Sequence, residues 1–431
     1  MIGPRKSRTD LMNRRDFLLA GAGGLLIPWW SVIPEARAQS TGLYSGRILV
    51  NIHAGGGIDQ SSWTDPREKD KTLNHYAGVT PANVSGNIRS APMGSNKAFF
   101  DSYFKQTLVL NGVDSETNNH EDGTRVHATG RLDLGYPNLS ELFASVEGKA
   151  LPMPWLNAGG FSTSAGLVAP TPMPSVDALR ALVAPNAQSA SADYMKQSDL
   201  DKVLAARADR MNALQARADT LPRAQTVAQE FLGASDSRAL LQRVAQFLPT
   251  QLDSFADAQV GLIAAQAGIT STIQLERGGF DAHSNIDSDY ATALPQLTNL
   301  VDYIWQKSAA LGISNRILVR IYSEFGRTPL NAGNGKDHWS IGSQVLMEAN
   351  PAWGNRVFGA SGPRHQQLKI STATGAVDPV NGVVITPRHI HAVLRNYLGI
   401  QTSDPRFNLM VPASEMFDFL NPNAGTGYPN T

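Results

Sequence analysis

The stretch Arg316-Ile-Leu-Val-Arg-Ile-Tyr322 is a short apolar run that predicts a buried strand. Directly after it come Ser323-Glu324-Phe325-Gly326-Arg327, and a few residues later Gly335-Lys336-Asp337-His338-Trp339. A carboxylate, an arginine and an Asp-His pair therefore lie beyond the carboxyl end of this strand, where open α/β sheets bind their ligands. Neighbours in a loop can face one point, so Glu324, Asp337 and His338 are candidate metal ligands. Taken alone, Asp-His is more often an ordinary loop dipeptide. The prediction of a metal site therefore depends on whether similar residues follow the other predicted strands.

The composition describes a chain that can bury a large core, since 42% of its 431 residues are hydrophobic and 17% are charged. Lys+Arg and Asp+Glu are equal at 37 each, so net charge gives no general attraction to nucleic acid, and we expect no nucleic-acid partner. Cysteine is absent, which excludes disulfides, thiolate zinc sites and cysteine nucleophiles. Any metal must be held by Asp, Glu, His, Asn or backbone oxygen.

The amino terminus is typical of an export signal. Residues 13–19 (Asn-Arg-Arg-Asp-Phe-Leu-Leu) resemble the twin-arginine motif, an apolar stretch follows at 20–27, and Ala36-Arg37-Ala38 resembles a signal peptidase site. We expect the twin-arginine machinery to export the chain, residues 1–38 to be cleaved and residues 39–431 to be periplasmic or secreted. An uncleaved anchor is the alternative, but this stretch is short for a bilayer of about 30 Å, and no later segment has the apolar length of a membrane helix. Met12 is an alternative start to Met1.

Acids and histidines follow three further predicted strands. The strand at 46–53 leads through glycines to Asp59, and the strand at 106–113 leads to His120-Glu121-Asp122. A strand at 271–275 precedes Asp281 and His283, whose spacing lets both side chains face one point in an extended segment. Since the chain has only nine histidines, four such loops indicate a shared site rather than chance.

The alternation of strands and helices predicts an α/β fold with a parallel pair of strands. Residues 294–311 predict a helix that joins the strands at 271–275 and 316–322 into a βαβ unit. Residues 175–268 are rich in Ala, Gln, Arg and Asp with helical spacing, so we expect an α-helical insertion there, within a single domain that spans 39–431. A final helix is expected at 389–398, with His389 and His391 in structural or exposed positions.

These blocks together resemble the alkaline phosphatase and sulfatase superfamily, and more closely its branch of twin-arginine-exported proteins with a domain of unknown function. The resemblance rests on Gly56-Gly57-Ile58-Asp59, residues 120–130, residues 278–283, residues 323–327 and Asp337-His338. It implies a doubly wound, mostly parallel sheet of the alkaline-phosphatase-like kind, with a two-metal site. It would place Asp59, Asp337 and His338 at one metal, and Asp281 and His283 at the other.

The chain also departs from the superfamily pattern. A Ser or Thr nucleophile is expected about ten residues before Thr129-Gly130, and His120 stands there instead. Thr124, Ser61 and Ser62 are nearby hydroxyls at other spacings, and His365 is the best match to a third histidine that the superfamily carries.

Two functions remain open from the sequence. The first is a metal-dependent hydrolase of small anionic phosphate or sulfate esters, with His120 as ligand, general acid or covalent acceptor and Arg327 as the group that binds the anion. The second is an exported binding or assembly factor that keeps the scaffold and a metal site without catalysis. The histidine content favours zinc or manganese as the metal, and magnesium or calcium would also suit the carboxylates.

Overall fold

A computed structural model describes residues 44–184, 186–189, 191–217, 221, 241–249, 251–401 and 404–422. These residues belong to one compact unit of the chain, Ser40–Thr431. The twin-arginine motif and the expected cleavage site lie outside the described residues, so both stay predictions. Within the described ranges, no helix is both long enough and apolar enough to cross a membrane.

The secondary structure alternates between strands and helices along the chain. The strands are Ile48–Ala54 (β1), Asn83–Ser85 (β2), Ile88–Ser90 (β3), Thr107–Asp114 (β4), Trp155–Ala158 (β5), Thr171–Pro172 (β6), Ala187–Ser189 (β7), Ala192–Asp193 (β8), Thr272–Arg277 (β9), Ile317–Tyr322 (β10), Gly326–Leu330 (β11), Lys336–Trp339 (β12), Ile341–Glu348 (β13) and Arg356–Phe358 (β14). The α-helices are Asn96–Tyr103 (α1), His120–Thr129 (α2), Leu139–Glu147 (α3), Val176–Val183 (α4), Gln197–Ala216 (α5), Ala256–Gln266 (α6), Ile286–Ala310 (α7) and Pro387–Tyr397 (α8).

The central sheet has eight strands in the order β14-β4-β13-β10-β1-β9-β5-β6. Strand β13 runs antiparallel to both β10 and β4, and every other pair of neighbours is parallel. The predicted mostly parallel sheet is therefore confirmed. The pairs β2–β3, β7–β8 and β11–β12 form separate two-stranded sheets.

Both faces of the sheet are covered, as the alternation within its strands requires. In β1, Ile48, Val50 and Ile52 pack into one hydrophobic cluster, whereas Leu49 belongs to a cluster on the opposite face. Helix α7 supplies the first cluster with a row of apolar residues, and helices α3 and α8 supply the second. This arrangement is doubly wound, and it leaves the carboxyl ends of the parallel strands open at one edge.

The predicted βαβ unit is present, with two differences. Strands β9 and β10 are parallel, but β1 lies between them and pairs with both. Helix α7 begins at Ile286 rather than at Leu294, with Asp287 and Asp289 in its first turn, where the helix dipole favours acids. Pro295 lies inside the helix, and it makes the first turns hard to identify from sequence alone.

Helix α2 begins at His120. The Asn119 side chain accepts hydrogen bonds from the backbone N–H groups of Glu121 and Asp122, and it fixes the first turn there. Within 175–268, helices α4, α5 and α6 are present, while residues 222–240 lie outside the described part of the chain. Helix α8 carries His389 and His391, both buried, which leaves them in structural positions.

Candidate metal centre

The site lies at the carboxyl ends of three neighbouring strands, β9, β1 and β10. His53, near the end of β1, is aligned with Glu276 of β9 on one side and with Tyr322 of β10 on the other. Glu324 follows β10 by two residues. Parallel strands in register therefore bring these side chains to one edge of the sheet.

Three imidazoles surround one carboxylate oxygen at this edge. The Oδ1 atom of Asp281 lies 3.1 Å from Nε2 of His283, 3.6 Å from Nε2 of His338 and 3.7 Å from Nε2 of His120. We call these four residues the histidine cluster. Among the described residues, His120, Asp281 and His338 form a group whose ligand atoms all lie within 4.8 Å of one another, as binding of one ion requires. Three segments contribute to this cluster: the start of α2 after β4, the loop after β9, and strand β12.

The other ring nitrogen of each histidine faces an acceptor. Nδ1 of His120 lies 2.8 Å from Glu324 Oε1, and Nδ1 of His338 lies 2.9 Å from the carbonyl oxygen of Asn118. Nδ1 of His283 lies 3.0 Å from Asp337 Oδ1. With each Nδ1 donating to its acceptor, each Nε2 would present its lone pair to an ion in the cluster. Metal-binding histidines are held in this way.

The short distance between two histidine nitrogens bears on whether a cation fits the histidine cluster. Nε2 of His283 and Nε2 of His338 are 3.2 Å apart, and with both hydrogens on Nδ1 neither atom can donate to the other. Two lone pairs at this distance repel each other, and the Asp281 carboxylate adds further negative charge. A divalent cation between them would turn each of these repulsions into a coordination bond. The group of His120, His338 and Asp281 offers two imidazoles and one carboxylate, with His283 beside it, and such donors suit zinc or manganese.

Glu324 stands behind the cluster rather than in it. Its carboxylate accepts hydrogen bonds from His120, from His53 Nε2 at 3.1 Å, from the Gly56 N–H at 2.8 Å and from the Ser323 hydroxyl at 3.0 Å. Burial alone would raise the pKa of Glu324, but the bonds from His120 and His53 outweigh it and hold the pKa well below its usual range. Glu324 is thus placed to orient His120.

His53 continues this chain of hydrogen bonds away from the cluster. Its Nδ1 lies 3.2 Å from Glu276 Oε1, so the ring is held between two carboxylates. Burial alone would lower the pKa of His53, but the bonds to Glu276 and Glu324 raise it to about 9. A buried imidazolium therefore joins the two acids.

Arg327 is fully buried and does not face the cavity. Its guanidinium donates to Gly57 O and Lys336 O, both at 2.9 Å, to Gly56 O, and to Asp281 Oδ1 at 2.6 Å. The expected role of Arg327 in binding a substrate anion is therefore corrected, because its donors are engaged inside the protein. The bond to Asp281 also outweighs burial and lowers the pKa of that carboxyl group.

The structure does not bring Asp59 into the histidine cluster. Asp59 is buried, and Lys336 Nζ lies 2.7 Å from its Oδ2. Asp337 is near the cluster, but its carboxylate faces Nδ1 of His283 and not the centre. His365 is also separate, buried beside Ser361 and Asp65.

A cavity of about 420 Å³ adjoins the cluster. Helix α2 brings Thr124 to its wall, one turn after His120, and four glycines contribute backbone to it. The residues that line it include three acids and neither lysine nor arginine: His53, Gly55, Gly56, His120, Thr124, Gly160, Glu276, Gly278, Asp281 and Glu324.

Three residues at or beside the site were not identified as candidates from the sequence. His53 and Glu276 are the next-to-last residues of β1 and β9, and the signal for them was a polar residue near the end of each apolar run. Lys336 precedes Asp337-His338, and nothing local in the sequence indicates that its ammonium group is buried.

Comparison with solved structures returns sulfatases, alkaline phosphatase and a lipoteichoic acid synthase. The PsFucS1 sulfatase from a Pseudoalteromonas species is 9% identical, with 89% of this chain and 73% of that chain covered and a TM-score of 0.37. Alkaline phosphatase from the Antarctic bacterium TAB5 is 11% identical, with 84% and 100% covered and a TM-score of 0.30. The lipoteichoic acid synthase LtaP from Listeria monocytogenes is 11% identical, with 88% and 76% covered and a TM-score of 0.31. TM-scores of this size carry no conclusion about activity.

Sequence comparison gives a family for this chain. No curated protein matches the chain. A family model described as "Protein of unknown function (DUF1501)" matches residues 47–360, which is well over half of the 431 residues. The chain therefore belongs to the DUF1501 family.

Proposed function

We propose that this protein is an exported metal-dependent hydrolase of small anionic phosphate or sulfate esters. The observation that carries the proposal is the convergence of three imidazole Nε2 atoms on Asp281 Oδ1, with every Nδ1 bonded to an outer acceptor. A divalent ion bound there would polarise the ester and stabilise the charge that develops during hydrolysis. Zinc or manganese is the preferred ion.

Residues of the chain would then have separate roles around the ion. His120 would serve as a ligand, with Glu324 fixing its ring, and this leaves no free Nε2 lone pair for a covalent role. Thr124 is the hydroxyl-bearing residue of the cavity lining, and we assign it to contact with the ester group. His53, held between Glu276 and Glu324, would keep a positive charge next to the site.

The charge of the cavity supports metal dependence. Its lining contains Glu276, Asp281 and Glu324, whose three negative charges exceed the one positive charge of His53, so the protein alone disfavours an anionic ester. Binding of an anion therefore depends on the cation. Inorganic phosphate should bind to the metal-loaded protein and not to the metal-free protein.

A second candidate function is a binding or assembly factor that keeps the metal without turnover. The specific observation in its favour is that His120 occupies the position at which the superfamily's hydroxyl nucleophile is expected. The same cavity would then hold a ligand and release it unchanged.

Replacing His120 with Ala should distinguish these two functions. If the protein is a hydrolase, turnover of phosphate or sulfate esters should fall by on the order of 10²- to 10⁴-fold, because a ligand at the reacting centre is lost. The assay is a broad ester screen of the metal-loaded protein, with Glu121→Ala as the matched control, since Glu121 is the exposed neighbour on the same helix. If the metal-loaded wild type turns over none of these esters, the hydrolase proposal fails and the binding function remains.

Export can be tested separately. Replacing Arg14 and Arg15 with Lys should leave uncleaved precursor in the cytoplasm, because the proposed twin-arginine signal depends on that pair. Cell fractionation and immunoblotting would measure precursor and mature protein, with Arg37→Lys as a control outside the motif. Normal recovery of the doubly substituted protein from the periplasm would contradict export by this route.

A further inference from the structure

A buried pair of opposite charges, Asp59 and Lys336, lies beside the histidine cluster. The side chains of Asp59 and Lys336 are 0% and 1% exposed, and the Lys336 ammonium lies 2.7 Å from Asp59 Oδ2 and 2.6 Å from the Ser61 hydroxyl. By resemblance to the superfamily, Asp59 is expected to hold a metal ion together with Asp337 and His338. The structure places an ammonium group against this carboxylate instead.

We propose that Lys336 is a built-in cation that takes the place of a metal ion at Asp59. The chain would then bind a single divalent ion, at the histidine cluster. The number of ions rests on the metal site of the proposed function, whereas the role of Lys336 rests on the buried pair alone.

The bonding of Asp59 leaves little room for an ion. Its Oδ1 accepts from the backbone N–H and the hydroxyl of Ser61, and its Oδ2 accepts from Lys336 and from the hydroxyls of Ser61 and Ser62. Both carboxylate oxygens are therefore occupied by donors from the chain. A divalent ion added at this point would also face the ammonium charge at short range, which is strongly unfavourable in a buried setting.

The backbone holds Lys336 in this position. Its N–H donates to Ala282 O at 2.9 Å, and its carbonyl oxygen accepts from Arg327 at 2.9 Å. Lys336 and His338 are two residues apart in β12, so their side chains leave the same face of the strand. One strand thus delivers the ammonium group to Asp59 and an imidazole to Asp281.

The grouping of the expected ligands follows from this arrangement. His338 joins Asp281, His283 and His120, and Asp337 faces His283 from outside, so Asp59 has no imidazole partner of the kind that the resemblance implies. The Lys336 ammonium group would then supply a positive charge at this edge of the sheet. This charge is part of the chain and would not depend on the supply of metal.

The test is the number of ions bound by the full chain, measured by elemental analysis after titration with Zn²⁺ and removal of excess. We expect one ion in the wild type, one in Asp59→Asn/Lys336→Met, and none in His338→Ala. The double substitution removes both charges together, so it avoids leaving either one buried alone. Two ions in the wild type and one in the double variant would overturn the proposal.

Thermal unfolding gives a readout that needs no activity and no bound metal. Lys336→Met alone should lower the melting temperature by roughly 5 to 15 °C, because it leaves the Asp59 carboxylate buried without a cation. Adding Asp59→Asn should recover most of this loss. If the two substitutions are simply additive, the built-in cation is disproved. If the wild type binds no ion while the coupling between Asp59 and Lys336 holds, the proposed hydrolase fails and Lys336 keeps its assignment.

Discussion

The Asp281→Asn variant is expected to fold and to lose its divalent ion. Asp281 supplies the oxygen on which His120, His283 and His338 converge, so its charge is the one that every imidazole shares. Loss of an outer partner of a metal ligand costs roughly 10- to 100-fold in affinity, and loss of this central ligand should cost more than that. Calorimetric titration with Zn²⁺ would measure the change.

Asparagine is the better substitution here because its amide oxygen can still accept the hydrogen bond from Arg327. Alanine would leave that buried guanidinium short of an acceptor and would confuse loss of metal with loss of stability. Asp122→Ala is the matched control, since Asp122 is a carboxylate of α2 that pairs with Arg125 outside the cluster. An Asp281→Asn protein that binds Zn²⁺ as tightly as the wild type would refute the assignment of the histidine cluster.

The second large effect is expected in the dependence of stability on pH. The pKa of His53 rises from 6.5 to about 9 on folding, so its charged form contributes stability that is fully present below about pH 6.5. That contribution is lost as the pH rises through about 9. The size of the shift corresponds to roughly 3 kcal/mol. The pKa values of Glu276 and Glu324 are lowered, so their contributions are instead lost as the pH falls below the range of a free glutamate.

Urea denaturation of the wild type and of His53→Gln at a series of pH values between 6 and 10 would measure this effect. The wild type should lose stability across the upper part of this range, while the variant should be less stable at pH 6 and depend less on pH. His75→Gln is a suitable control, because His75 pairs with Asp287 at the surface. Equal pH dependence of the wild type and His53→Gln would mean that His53 does not carry the charge.

Much of the fold follows from the periodicity of the sequence, and its strand order does not. The apolar runs at β1, β4, β9 and β10 are each predicted to within one or two residues at their starts. The position of β1 between β9 and β10 depends on contacts between residues more than 200 positions apart. The antiparallel direction of β13 depends on its pairing with β10. No local pattern encodes such contacts.

The candidate site shows the same division. Asp281, His283, His338 and His120 are predicted as polar residues after strands, and the structure brings them together. Their partners could not be assigned from sequence, because Asp59 and Asp337 have the same chemistry as Asp281 and differ only in what packs against them. Arg327 was expected to be a substrate contact for the same reason, since burial of its guanidinium depends on backbone carbonyls from distant loops.

The β11–β12 hairpin has a consequence for how this protein reaches its folded state. Arg327 in β11 lies opposite His338 in β12, and Lys336 is on the same strand. A slip of one residue in this pairing would turn Asp337 toward the position of His338 and would carry the ammonium group away from Asp59. The misaligned form would bury the Asp59 carboxylate without a cation, at high cost. The pairing of Lys336 with Asp59 therefore favours the correct alignment of the hairpin over the slipped one. The metal content of newly folded protein should report the fraction of molecules in which the two strands are correctly aligned.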